Sequence, residues 1–184
     1  GALDAHPQVV LAYSKMQRVY PLQRRAITRQ FDTLGLTNPL QRLRAAQSGM
    51  AAGNCIYGLF RARVLAQAGV FRPVLAPDRQ VIVECLLLGE CLQVPEILWY
   101  REVAGMFSYE RQRQMFFPTG APLHTYLPAT VQHFGVLLWD LGVCGRGRPG
   151  FGRIAGIGYA FAAFWYESRR DLLKPDARWR VAMK

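Results

Sequence analysis

The sequence predicts an α/β fold: a mixed sheet with flanking helices, followed by a C-terminal helical extension. Three observations carry this. Short runs rich in β-branched and aromatic residues alternate with helical patterns up to about residue 104. Beyond that point only helical periodicity remains. Hydrophobic residues make up 51% of the 184 and charged residues 19%, which suffices for a core and is too little charge for a disordered chain. The expected division is therefore an α/β part over 1–104 and a basic helical part over 105–184.

Taken in order, Leu3 to Pro7 reads as the tail of a helix stopped by proline. With Gly1 rather than Met at the start, this gives the expectation of a piece of a longer protein. Val9–Tyr13 and Met16–Tyr20 read as two short strands, and Pro21–Asn38 as a loop or weak helix. Asn38 and Pro39 open a helix running to about Gln47. Asn54–Phe60 reads as a buried strand, and Arg61–Ala68 as a helix closed by Gly69. Pro77-Asp78 starts a helix whose apolar positions, Val81, Ile82, Cys85, Leu86 and Leu88, recur at helical spacing before Gly89. Cys91–Val94 and Ile97–Val103 read as two strands around Pro95. Helices follow near Ser108–Phe116, Ala129–Val143 and Pro149–Leu173, the last two parted by the Gly145–Gly150 turn signal.

Twenty-three Lys plus Arg against twelve Asp plus Glu give a net charge of +11, which predicts attraction to an anionic partner without choosing one. Cys55, Cys85, Cys91 and Cys144 form no Cys-x-x-Cys pair and read as small buried side chains in a reducing compartment. His6, His124 and His133 lack metal-ligand spacing. The Gly145–Arg153 stretch lacks the Lys-Ser/Thr of a phosphate-binding P-loop and reads as an interhelical turn. Two uncharged or apolar stretches stand out. Gln114–Trp139 is broken by Pro118, Pro122 and Pro128, and Ile154–Tyr166 is too short to cross a bilayer. No basic-then-apolar leader stands at the start, so the expected location is cytoplasmic, with peripheral contact on the inner membrane face.

One ordered set of segments carries more. It runs Gly53-Asn54-Cys55-Ile56-Tyr57-Gly58-Leu59-Phe60-Arg61, a short helix, Gly69, a loop, and Pro77-Asp78-Arg79. An apolar helix with Glu84 and Leu88-Gly89 follows, then Val94-Pro95-Glu96-Ile97-Leu98-Trp99-Tyr100-Arg101. This order resembles the acceptor-side, C-terminal part of the family-two, GT-A-type glycosyltransferases, and Leu3–Tyr13 resembles the helix and strand beyond that family's metal-binding carboxylates. The resemblance covers roughly residues 1–104. It implies a partial GT-A-like sheet and an enzyme that moves a sugar from a nucleotide-sugar donor to a glycan or lipid-linked acceptor hydroxyl, with inversion. It also implies a divalent metal, Mg or Mn, held by an Asp-x-Asp. No Asp-x-Asp occurs in this chain, so the expectation places those ligands upstream and makes this piece alone inactive. The family often sets two acids at the acceptor site, whereas here Pro77 precedes a lone Asp78.

Inverting transfer needs a carboxylate that takes the acceptor proton as the oxygen attacks the anomeric carbon. The resemblance gives that role to Asp78, and a helix N-cap is the structural alternative. Arg79 reads as a contact to donor phosphate, a partner of Asp78 or a solvated side chain. Glu84 lies six residues on, about 1.7 turns away, and reads as structural with an ion pair. Tyr57 and Trp99 are candidates to stack on a sugar ring, with core packing as the alternative, and Gly58 permits close approach to its backbone. Arg178-Trp179 matches part of the Gln-x-x-Arg-Trp signature of processive synthases but lacks its Gln.

Arg146–Lys184 holds nine Lys or Arg and three acids around a bulky apolar block that includes Ile154, Phe161, Phe164 and Trp165. Two readings stand for it, docking on an anionic membrane or packing on its own domain. The alternative to a transferase is a non-catalytic basic module, either membrane-peripheral or nucleic-acid-binding. The spread of arginines and the lack of a nucleic-acid motif count against the latter.

Overall fold

The computed structural model describes residues 1–20, 25–27, 31–49, 54–102, 108–147 and 150–173. Its centre is one long strand, β1 (Val9–Val19), where two short strands were expected. β1 runs parallel to β4 (Glu90–Glu102) along its length. On its other side it pairs antiparallel with β3 (Leu59–Phe60) near its start and with β2 (Arg25–Ile27) near its end. The result is a four-stranded mixed sheet.

The polar pair Ser14-Lys15 and Pro95 do not break these strands, and the register shows why. Ser14 pairs with Val94 and Lys15 with Ile97, so Pro95 and Glu96 bulge out of the ladder. A bulge absorbs the proline, which has no N–H to give. The open side of β4 is covered at its start. The Thr33 N–H donates to the Cys91 carbonyl (3.0 Å), and the Cys91 and Gln93 N–H groups donate to Thr33 Oγ1 and Asp32 Oδ2 (2.7 and 3.0 Å). Such cover keeps a strand edge from pairing elsewhere.

The expected buried strand at Asn54–Phe60 is instead a 3₁₀ turn, Asn54–Tyr57, followed by the two residues of β3. Gly58 allows this. A Cβ there would lie 2.5 Å from the Ala12 carbonyl oxygen and 2.8 Å from Tyr13 Cβ, so the close approach at this glycine is that of β1. Arg61 then fastens the start of β1. Its Nε donates to the Val9 carbonyl (2.7 Å), and its Nη2 donates to the carbonyls of Leu3 and His6. Leu3 belongs to the short α1 (Ala2–Ala5).

Three helices lie between β1 and β4: α2 (Pro39–Gly49), α3 (Ala62–Ala68) and α4 (Pro77–Leu88). Gly69, at φ +88°, closes α3 as the sequence predicts. α4 is buried on nearly every side, and Val81, Ile82, Cys85 and Leu86 sit in the main core. After β4 the described elements are helical. They are α5 (Tyr109–Phe116), a 3₁₀ turn at Leu123–Tyr126, α6 (Ala129–Leu137), a π-helical segment (Leu138–Cys144) and α7 (Arg153–Leu173). The single helix expected over Ala129–Val143 thus changes pitch at Leu138, and Gly145 ends it at φ +75°. Cys144, expected to be buried, is exposed at that end, whereas the other three cysteines are buried and free.

One buried cluster joins the two halves. Val10, Leu11, Leu43 and Leu86 share it with Leu137 and Leu141 of the α6–π stretch and with Ala160 and Ala163 of α7. α7 packs on α2 as well as on α6, and Arg170 Nη1 donates to Gln47 Oε1 across that contact (2.7 Å). Among the described residues no helix is long and apolar enough to cross a membrane. Arg178-Trp179 lies outside the described residues.

Candidate functional site

Of the residues singled out by sequence, Asp78, Tyr57, Gly58 and Trp99 lie around the Asn54–Tyr57 turn. α4 packs on this turn. Its first turn carries Asp78, at the second helical position behind Pro77 and with partial exposure. Asp78 is not the helix cap that the alternative reading supposed. The cap is Ala76, whose backbone is left-handed at φ 51° and whose N–H donates to Gln112 Oε1 (2.8 Å). A non-glycine residue in that conformation costs about 1 kcal/mol. α5 thus holds the strained start of the helix that presents Asp78.

At the inner end of the turn, Cys55 lies within electrostatic reach of Asp78. Burial is the main cause that pushes its thiol up to about 12, and the Asp78 carboxylate adds to it. At the outer end, Tyr57 leans on Trp99 of β4, with ring centroids 4.4 Å apart. Tyr57 is 70% exposed, so the sugar-stacking candidate is reachable from solvent rather than core. Trp99 is half-buried between the exposed Leu98 and Tyr100. Asp78, Tyr57 and Trp99 are thereby linked through four residues of turn. Gly58 borders them, but its open face is taken by β1.

Arg79 goes elsewhere. Its charge acts on Glu167 of α7. There Glu167 accepts from His133 Nδ1 (3.1 Å) and Arg170 Nη2 (3.2 Å), while His133 Nε2 lies 2.8 Å from the Leu75 carbonyl oxygen. Burial alone would raise the Glu167 carboxyl, but His133, Arg170 and Arg79 together hold it below its ordinary value.

Sequence reasoning missed a second polar cluster, built around Glu84. Glu84 is 4% exposed and accepts from Gln80 Nε2 (2.7 Å), one turn away, in place of the expected ion pair. Burial pushes its carboxyl up to about 8. Asp140 of the π segment pairs with Arg72, yet burial still holds its carboxyl above the ordinary value. Glu84, Asp140, Arg146 and Gln67 line one small cleft. Glu84 Oε2 and Arg72 Nε have no hydrogen-bond partner among the described residues. The sequence signal for this cluster was Gln80 and Glu84, one turn apart in an otherwise apolar helix.

Among the described residues no group of three or more His, Cys, Asp or Glu side chains is placed to hold a metal ion. Comparison with models of known families, with curated proteins and with solved structures returns no match.

Proposed function

We propose that this chain is the acceptor-side part of a GT-A-like, family-two sugar transferase, with Asp78 as the general base. The reading rests on the ordered segment resemblance. The observation that supports it best is the link from Asp78, through the turn that holds Cys55, to the solvent-facing Tyr57–Trp99 pair. A carboxylate in the first turn of a helix is well placed electrostatically, and aromatic faces suit the apolar faces of sugar rings.

In this proposal an acceptor sugar lies against Tyr57 and Trp99 with one hydroxyl toward Asp78. The carboxylate takes the hydroxyl proton as the oxygen bonds to the anomeric carbon. The bond from that carbon to the nucleotide diphosphate breaks on the opposite face, which inverts the centre. Donor binding and any cationic clamp on the leaving group belong to residues upstream of this chain in the same reading. Arg79 is left to Glu167 and has no assigned part in transfer.

The test uses the protein with its donor-binding part present and labelled nucleotide-sugar donors. Asp78→Asn is expected to lower transfer by a factor of about 10² or more while acceptor binding persists. An Asp78→Asn enzyme that transfers at the full rate removes the proposal. NMR of the product's anomeric configuration checks inversion separately.

A further inference from the structure

α7 is built the wrong way round for a helix that serves only its own core. Its buried stripe is Gly156, Ala160, Ala163 and Glu167, at successive spacings of four, three and four, and three of these are small. Its outward stripe has the same spacing and, apart from Gly158, holds large apolar residues: Ile154 at 87% exposure, Phe161 at 56% and Trp165 at 62%. At about 100° per residue the outward four fall within roughly 60° of one another, and the two stripes are nearly opposite. Small residues let α7 sit close on its neighbours, Tyr159 and Tyr166 pack at the flanks, and Ile154, Phe161 and Trp165 are left in solvent.

The charges around this stripe are of one sign. Over residues 153–170 the charged residues are Arg153, Glu167, Arg169 and Arg170. The sole acid, Glu167, is buried and paired with His133 and Arg170. Arg153 and Arg169 are exposed, one at each end of the stripe. Arg169 also follows Trp165 by one turn on the outward face. Arg153 sits in the first helical turn, where a cation opposes the helix dipole, so its placement is not explained by helix stability. The stripe runs for about 16 Å, and the chain as a whole carries +11.

The geometry points to α7 as an in-plane docking helix for an anionic lipid surface. Phe161 and Trp165 enter the headgroup–acyl boundary, and Arg153 and Arg169 meet the lipid phosphates. Aromatic side chains bracketed by arginines suit that boundary, and the positive charge selects anionic over neutral lipid. The edge-on packing of Phe134 against Phe161, with centroids 4.9 Å apart, fixes the outward ring from behind. This inference concerns a different face from the Asp78 site and stands independently of sugar transfer.

The test is co-sedimentation of the full chain with vesicles of phosphatidylcholine alone or mixed with phosphatidylglycerol, at about 0.1 M salt, where surface charge is still felt. The chain is expected to bind the mixed vesicles at least tenfold better than the neutral ones and to be released as salt rises. The double variant Phe161→Ser, Trp165→Ser should lose at least tenfold in binding with an unchanged circular dichroism spectrum, since both side chains lie largely outside the core. Trp165→Phe should still bind, with most of the vesicle-induced blue shift of tryptophan emission gone. Absence of binding to the mixed vesicles, or wild-type binding by the double variant, overturns the inference. So does a dimer in sedimentation velocity that the double variant dissolves, because a second copy would then be what covers the stripe.

Discussion

Tyr57 and Trp99 touch with their ring planes tilted by 49°, although 42 positions separate them and neither belongs to the main buried core. A tilted aromatic pair contributes about 0.5–1.5 kcal/mol beyond its buried area. Most of Tyr57 is left open to solvent, so the pair is expected to matter more for binding than for folding. In NMR titrations with simple methyl glycosides and short glycans, Trp99→Ala should weaken the best-bound glycan about tenfold, or about 1.4 kcal/mol. Its midpoint in urea should change little. Equal glycan affinity in Trp99→Ala and the parent would remove this pair from the acceptor site.

Glu84 makes stability fall as pH rises. Its carboxyl titrates near 8 in the folded chain against an ordinary value of 4.5. Between those values the folded state keeps a proton that the unfolded state has released. The stabilisation is full below 4.5, declines as pH rises through the window, and is lost above the folded value. A tenfold difference in proton affinity between the two states corresponds to about 1.4 kcal/mol. Glu84→Gln keeps a neutral hydrogen-bonding group in place and should flatten the melting temperature against pH from 5 to 8, with its largest gain over the parent at the alkaline end of that range. A parallel pH profile for parent and variant would assign the slope to other groups.

Arg42 is a buried clamp on the end of α4. Its guanidinium donates to the carbonyls of Leu86 (2.6 Å), Leu36 (2.8 Å), Thr37 (2.7 Å) and Leu87 (3.1 Å). Leu86 and Leu87 lie in the last turn of α4, where carbonyls lack helical partners. Burial lowers the affinity of this guanidinium for its proton, with the Glu90 charge acting against that. Arg42→Ala leaves these acceptors dry and should cost about 3 kcal/mol or more in urea unfolding. Arg42→Lys should recover only part of this, because one ammonium cannot span the fork. A loss below about 1 kcal/mol for Arg42→Ala would mean that water reaches these carbonyls.

The elements most legible in the sequence are those set by local chemistry. α4 is readable because Val81, Ile82, Cys85 and Leu86 repeat at helical spacing, and the end of α3 because Gly69 must be left-handed. Sequence alone divides the long strands, since Ser14-Lys15 and Pro95 are breakers only until a bulge accommodates them. Asn54–Phe60 has the composition of a strand, but the nearness of β1 to Gly58 turns it into a 3₁₀ bend. At the site, sequence singles out Asp78, Tyr57 and Trp99 one by one, while their connection through the turn needs the fold. Arg79 illustrates the limit. Its neighbour in sequence is Asp78, but the charge it acts on is Glu167, which lies 88 residues further on. The Arg72–Asp140 pair is invisible for the same reason, because its members are 68 positions apart.

Glu167 should give the opposite pH dependence from Glu84. Its carboxyl is held below the ordinary 4.5 by His133, Arg170 and Arg79, against the opposing effect of burial. Its contribution is therefore present above 4.5 and is lost as pH falls through the lower folded value. Glu167→Gln removes the charge that His133 and Arg170 share, and should cost about 3 kcal/mol near neutrality, as expected for breaking a buried pair. The deficit should shrink as pH falls below 4.5, because the unfolded parent then takes up a proton that the folded carboxylate resists. His133→Ala should show the same shrinking deficit, since it removes the strongest of the interactions that keep Glu167 ionised and also leaves the Leu75 carbonyl unpaired. Chemical denaturation of the two single variants and the double variant, at pH 7 and pH 3.5, separates the shared term. If Glu167 and His133 act as one unit, the double variant at pH 7 is much less destabilised than the sum of the singles. Strict additivity would mean that Glu167 and His133 stabilise the fold independently, with the Phe134 contacts to Phe161 and Phe164 joining α6 to α7.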